Sequence, residues 1–168
     1  MENQNKRAFL LLFGIPLAIL VLILLAQSSG LIQTDFLASE DENTVEGDTV
    51  QLGKIDFYIS MDTVLMAAEE SGKPVYVYVD SDYCSWCKKF EAESFHDERV
   101  VEMLNSDFER LSVNNARNPS VASGLNIRGT PTGVFLRADG SEIAGMRVVG
   151  YVDTDAFLSR LDDVANSE

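Results

Sequence analysis

The chain has 168 residues, room for about one domain of ordinary size. Its 27 acids against 13 bases give a formal net charge of -14. That argues against nucleic acid as a partner, because phosphate contacts need clustered Lys and Arg. Two cysteines, Cys84 and Cys87, and a single histidine, His96, are too few for a multi-disulfide framework or a four-ligand Cys/His zinc site within one chain.

Residues 1–7 carry Lys6 and Arg7, and residues 8–26 read AFLLLFGIPLAILVLILLA without a charge. As a helix this run spans roughly 28 Å, close to the hydrocarbon thickness of a bilayer. Gly14 and Pro16 are tolerated in membrane helices. No base follows until Lys54. The bias of positive charge predicts a cytoplasmic N-terminus, a single membrane pass over 8–26 and export of all that follows. Ala26-Gln27-Ser28 is a small-x-small site of the kind signal peptidases cleave. The apolar run, however, exceeds the roughly 7–15 residues of a signal h-region, which favours an anchor. Either outcome exports the remainder.

Residues 27–48 hold six acids and no base. They read as a solvated acidic linker, with a root-mean-square span of about 25 Å as a flexible coil. A domain is expected over 49–168. Residues 50–59 alternate weakly and predict an edge strand. Ser60 or Asp62 caps a short helix through Ser71, closed by Gly72 with Pro74 beyond. PVYVYV, 74–79, reads as a buried central strand. A loop at Asp80-Ser81-Asp82 leads to a helix starting about Cys84, and a second helical piece covers about 97–105. Phe108–Val113 predicts a strand and 119–125 a short helix. Thr132–Arg137 and Ile143–Val149 flank Ala138-Asp139-Gly140 as a strand hairpin. A last helix, about 153–164, puts Phe157, Leu158, Leu161 and Val164 on one face. A parallel unit, then an antiparallel hairpin and a closing helix, is an α/β pattern with helices against a mixed sheet.

Cys84-Ser85-Trp86-Cys87 follows the central strand and opens a helix. There, unpaired backbone N–H groups and the helix dipole stabilise a thiolate at Cys84, with Lys88 and Lys89 adding positive charge. Cys84 is expected to attack a partner disulfide and Cys87 to resolve the mixed disulfide, with Trp86 as an apolar contact surface. Two other uses of the pair compete: a purely structural disulfide, and binding of Cu(I) through two thiolates. Lys88 stands where a CxxCH motif needs histidine, which argues against covalent haem. His96, twelve residues beyond Cys84, reads as a solvated residue. Gly129-Thr130-Pro131-Thr132, just before a strand, is the second signal.

Several runs together make the chain resemble the thioredoxin superfamily from about Gly72 to Asp163. They are Gly72-Lys73-Pro74-Val75, the Cys-Ser-Trp-Cys-Lys-Lys-Phe run, Ser94-Phe95 with Asp97 and Val100, Gly129-Thr130-Pro131-Thr132, the Ala138-Asp139-Gly140 turn, and Arg147-Val148-Val149-Gly150-Tyr151. Within the superfamily it is most similar to the C-terminal periplasmic domain of transmembrane disulfide reductases of the DsbD type and related exported proteins. The resemblance implies a thioredoxin-like fold and a cis bond before Pro131. It also implies that Thr130 packs against the cysteine pair and offers its backbone to an extended substrate. One departure stands out. Thioredoxins carry a buried acid six residues before the first cysteine, and this chain has Tyr78; Asp80, Asp82 and Glu91 are the candidates to replace it.

The expected activity is therefore that of a membrane-anchored thiol:disulfide oxidoreductase, on the reducing side, at the cytoplasmic (inner) membrane with its domain in the periplasm or outside the cell. Its partners would be exported proteins with disulfides or thiols and a membrane electron donor, with no metal and no bound cofactor. A Cu(I)-passing module and a non-catalytic protein-binding domain, using the groove beside Trp86 and Pro131, are the alternatives.

Overall fold

The computed structural model describes residues 48–167. The predicted cytoplasmic N-terminus, the apolar span 8–26 and the linker up to residue 47 lie outside the described residues. Among the described residues, no helix is long and apolar enough to cross a membrane.

In chain order the elements are β1 (Thr49–Leu52), β2 (Ile55–Tyr58), α1 (Met61–Ser71), β3 (Val75–Asp80), α2 (Ser85–Ser94) and α3 (Glu98–Asp107). There follow β4 (Glu109–Asn114), α4 (Pro119–Gly124), β5 (Thr132–Leu136), β6 (Val148–Val149) and α5 (Thr154–Ala165). The strands form one sheet in the order β1-β2-β4-β3-β5-β6. β4 runs parallel to both β2 and β3, whereas β3–β5, β5–β6 and β1–β2 are antiparallel.

The alternation in PVYVYV sets the layers. Successive side chains of a strand point to opposite faces, so Tyr76 and Tyr78 face one way and Val75, Val77 and Val79 the other. The tyrosines join Phe57 of β2 and Phe135 of β5 in a core covered by α2, α3 and α5, through Phe90, Leu104 and Phe157. The valines join Leu111, Val113 and Val134 in a second core, covered by Val64 and Ala68 of α1 and Ala122 of α4. Phe157 is central to the first core, its ring centroid 5.3 Å from Tyr76 and 5.0 Å from Phe90. Tilted and edge-on pairs of this kind add about 0.5–1.5 kcal/mol each beyond simple burial.

Helix boundaries follow from local chemistry. Ser60, not Asp62, caps α1, accepting from Thr63 N at 3.4 Å, and Gly72 closes it with φ 71°. Asp97 and Asp153 cap α3 and α5 in the same way, accepting from Arg99 N and Ala156 N. On α5, Phe157, Leu161 and Val164 are buried as expected, and Leu158 is partly so.

Two strand expectations are corrected. Residues 50–59 form a hairpin rather than one edge strand, because Gly53 turns the chain with φ 62°; β1 is the edge and β2 lies inside it. The turn is also latched to α2, since Lys54 N donates to Phe95 O at 2.9 Å. A Cβ at Gly53 would lie 2.5 Å from that same carbonyl oxygen. Within Ile143–Val149 only the two residues of β6 join the sheet ladder, and an isolated bridge pairs Leu136 with Glu142 just before the segment. Ile143 is still anchored by its N–H to Phe135 O, after which Gly145, with φ 80°, carries the chain off the sheet.

Gly133 sits opposite Tyr78 on β5, where a Cβ would come within 2.9 Å of the Tyr76 ring. Gly133→Ala is expected to lower the stability of the domain by about 1–3 kcal/mol, read as a shift in the urea midpoint. An unchanged midpoint would mean that Tyr76 moves aside at no cost.

Candidate functional site

β3 ends at Asp80 and the chain turns through Ser81-Asp82-Tyr83 into α2, so the helix starts at the C-terminal end of a central strand. Cys84 is its N-cap residue, and Sγ accepts the N–H of Cys87 at 3.0 Å. Sulfur thus occupies the place that a hydroxyl or carboxylate oxygen takes in an ordinary cap. Cys84 and Cys87 are joined as a disulfide, with Cα atoms 5.2 Å apart. Cys84 is half-buried while Cys87 is only 1 % exposed, so the first cysteine is the one nearer the surface.

Thr130-Pro131 is a cis peptide. The turn that carries it is held by three bonds. Thr132 Oγ1 donates to Gly129 O at 2.8 Å, Gly150 N donates to Pro131 O at 2.8 Å, and the Thr130 and Ser81 hydroxyls bond at 3.1 Å. The last of these ties the turn to the loop that precedes Cys84. Trp86, Thr130 and Pro131 then line one open groove of about 300 Å³ together with Gly150 and Tyr151. The three predicted contact residues are thus brought together. Gly150 and Tyr151 complete the groove; they belong to the Arg147–Tyr151 run, but a tyrosine after a short strand carries no local signal of where it folds.

The position of the missing acid is filled by Tyr78, which is fully buried. Its hydroxyl donates to Glu91 Oε1 at 2.9 Å and lies 3.4 Å from Cys87 O. Burial, reinforced by the Glu91 charge, holds the Tyr78 phenol far above its ordinary range, so it remains a hydrogen-bond donor. Burial likewise raises Glu91, only partly offset by the Tyr78 hydrogen bond. Asp82 turns outward to Arg117 at 2.8 Å and Asn114 at 3.0 Å. Asp80 is raised chiefly by burial, and its Oδ1 is buried without a hydrogen-bond partner. Of the three candidate acids, Glu91 is the one hydrogen-bonded to the tyrosine beneath the pair. His96 is exposed at the end of α2, with Nδ1 3.2 Å from Glu91 O. Lys88 and Lys89 are both exposed, and Lys89 folds back over the Trp86 and Tyr151 rings. An oxidised pair whose half-buried first cysteine caps a helix, beside a cis-proline turn, suits thiol–disulfide exchange.

Comparison with known proteins agrees with this geometry. A family model described as a thioredoxin-like domain matches residues 61–165. The thiol:disulfide interchange protein DsbD of Yersinia pestis is 33% identical over 99 residues, covering 57% of this chain and 17% of that protein. DsbD of Yersinia enterocolitica is 34% identical over 100 residues, covering 58% and 17%. The chain therefore spans less than a fifth of these relatives' length. Among solved structures, a thioredoxin from Thermus thermophilus superposes with a TM-score of 0.57 at 27% identity, covering 63% of this chain and 84% of that one. The oxidised C-terminal domain of Neisseria meningitidis DsbD shares the fold with a TM-score of 0.55 at 19% identity, covering 64% and 98%.

The raised Glu91 has a pH consequence of definite sign. A carboxyl that holds its proton more tightly folded than unfolded adds stability below the ordinary carboxylate range and loses it as pH climbs through the raised value. The stability of the parent chain minus that of Glu91→Gln should therefore fall between about pH 4 and about pH 7. Denaturant titrations of both chains at the two pH values check this; a flat or rising difference contradicts it.

Proposed function

The chain belongs to the thioredoxin-like family and carries an oxidoreductase-type domain with a disulfide-bonded CxxC pair; on that premise we propose that it is a membrane-anchored, extracytoplasmic thiol:disulfide oxidoreductase working in the reducing direction. The observation that carries this reading is the Cys84–Cys87 disulfide, with Cys84 half-buried at the start of α2, beside the cis Thr130-Pro131 peptide. Similarity over the same segment to DsbD, a thiol:disulfide interchange protein, supports the exchange chemistry; the reducing direction and the exported setting follow the resemblance to disulfide reductases of that type. The uncharged run 8–26 behind Lys6 and Arg7 supports a single membrane anchor, followed by the acidic linker 27–48 and the domain 49–168.

In the reaction, the Cys84 thiolate of the reduced chain attacks one sulfur of a substrate disulfide. A mixed disulfide forms and one substrate thiolate leaves. The Cys87 thiolate then attacks Cys84 Sγ, expelling the second substrate thiolate and leaving Cys84–Cys87 oxidised. Two electrons have passed to the substrate, whose two thiolates take up protons. The thiolate at Cys84 is favoured by the helix N-terminus. Cys87 must lose its proton in a buried setting, and the Tyr78–Glu91 pair, bonded to each other and close to the Cys87 carbonyl, is the polar group at hand. Trp86, Thr130 and Pro131 hold an extended substrate segment. Thr130 lies outside the sheet ladder, so its N–H and C=O are free to pair with that segment in the manner of an added strand. Regeneration requires a dithiol donor, which in this reading is a membrane protein; substrates are exported proteins.

The test is a pair of single substitutions in the full-length chain. Cys84→Ser should abolish reduction of a protein disulfide, a loss of at least about a thousandfold, since the attacking atom is gone. Cys87→Ser should accumulate a mixed disulfide through Cys84, visible by mass. Retained reduction by Cys84→Ser would overturn the reading.

A further inference from the structure

Trp86, Lys89 and Glu93 fall at i, i+3 and i+7 on α2 and so share one face of the helix. Tyr151, from the loop after β6, closes against that face. Its ring centroid is 5.3 Å from that of Trp86, and its hydroxyl donates to Glu93 Oε2 at 2.5 Å. The Lys89 ammonium lies 4.4 Å from the Tyr151 ring centroid, 5.5 Å from that of Trp86 and 3.9 Å from Glu93 Oε1. One cation and one anion cancel within the cluster, and the tyrosine hydroxyl is already engaged. What remains for the groove is two aromatic rings, the Pro131 ring, the bare backbone of Gly150, and Thr130, whose hydroxyl is already bonded to Ser81.

Resting on the oxidoreductase reading, we infer that Tyr151 is a specificity-determining residue. Anchored by Glu93 and Lys89, it fixes Trp86 and makes the groove select extended segments with an apolar side chain next to their cysteine. A cationic neighbour would meet the Lys89 ammonium already lying over both rings. An anionic neighbour would meet Glu93 and find Lys89 occupied. An apolar side chain loses no hydrogen bond to water and covers rings that are otherwise wet, for Trp86 is 54 % exposed. Because the wall is held in place in the free protein, little side-chain freedom is lost when a segment binds.

Trp86 is the only tryptophan in the chain, so its emission reports on this groove directly. The probes are two seven-residue peptides with a central S-methylated cysteine that cannot exchange, preceded by leucine in one and by lysine in the other. They are titrated into the full-length chain, its Tyr151→Ala variant and its Glu93→Gln variant. The parent should bind the leucine peptide about tenfold more tightly than the lysine peptide. Tyr151→Ala should erase that preference, and Glu93→Gln should reduce it by about threefold, with far-ultraviolet circular dichroism unchanged. Equal binding of the two peptides by the parent, or a preference untouched in Tyr151→Ala, overturns the inference. Reduction of the small disulfide 5,5′-dithiobis(2-nitrobenzoate) is followed in parallel. If the parent selects the leucine peptide but fails to reduce this reagent, the inference holds and the oxidoreductase reading fails. If Tyr151→Ala slows the reagent as much as a protein disulfide, Tyr151 supports the fold of the site rather than its selectivity.

Discussion

The structure depends on one strand presenting two different surfaces. In β3 the tyrosines and valines alternate, and each surface demands its own cover: large side chains from α2, α3 and α5 (Phe90, Leu104 and Phe157) on one side, small aliphatic residues from α1 and α4 on the other. The same alternation fixes where α2 can begin. Phe90 must lie in the aromatic core with Tyr78 stacked against it at 5.9 Å, which sets the helix rotation and hence the place of Cys84 and Cys87 one to two turns earlier. A one-residue slip of β3 would exchange the two surfaces and leave neither core packed. Site geometry here is thus a by-product of core packing.

That dependence also accounts for the unusual chemistry under the cysteines. A tyrosine at position 78 belongs to the aromatic core and yet ends in a hydroxyl, so it spans from the apolar layer to the helix above. A short carboxylate at the same position would bring a charge into the layer; the tyrosine keeps the charge one hydrogen bond farther out, on Glu91, where part of the side chain meets water. The cluster therefore holds an ionisable group near Cys87 while the Tyr78 ring keeps its contacts with Phe57, Phe90 and Phe95. Asp80 is the exception, with a buried oxygen left unpaired.

Much of this was legible in the residues. The alternating run 74–79, the cap-and-glycine boundaries of α1, and the cysteine pair at a strand-to-helix junction all rest on short-range rules, and local chemistry decided them. Thr130-Pro131 was legible through resemblance rather than through physics, because a Gly-Thr-Pro-Thr run by itself states only a turn. The readings that needed correcting share a cause. In both 50–59 and 143–149 a glycine with positive φ interrupts the strand: Gly53 turns the first segment, whose turn is then fastened to the distant Phe95, and Gly145 ends the pairing that Ile143 begins with Phe135 in the second. The groove wall was hidden by distance. Tyr151 lies 58 residues from Glu93 along the chain, and no periodicity connects them.

Strand order has a mechanical side. The chain comes into the sheet at β1, one outer edge, while the groove is built from the turn before β5 and the loop after β6, toward the other. Five strand spacings separate those edges, about 24 Å at the usual distance between neighbours. A restraint arriving through the upstream chain is thus applied on the far side of the sheet from the groove. Its load falls on the β1–β2 hairpin, whose turn is fastened to the end of α2 rather than to the cysteines at its start.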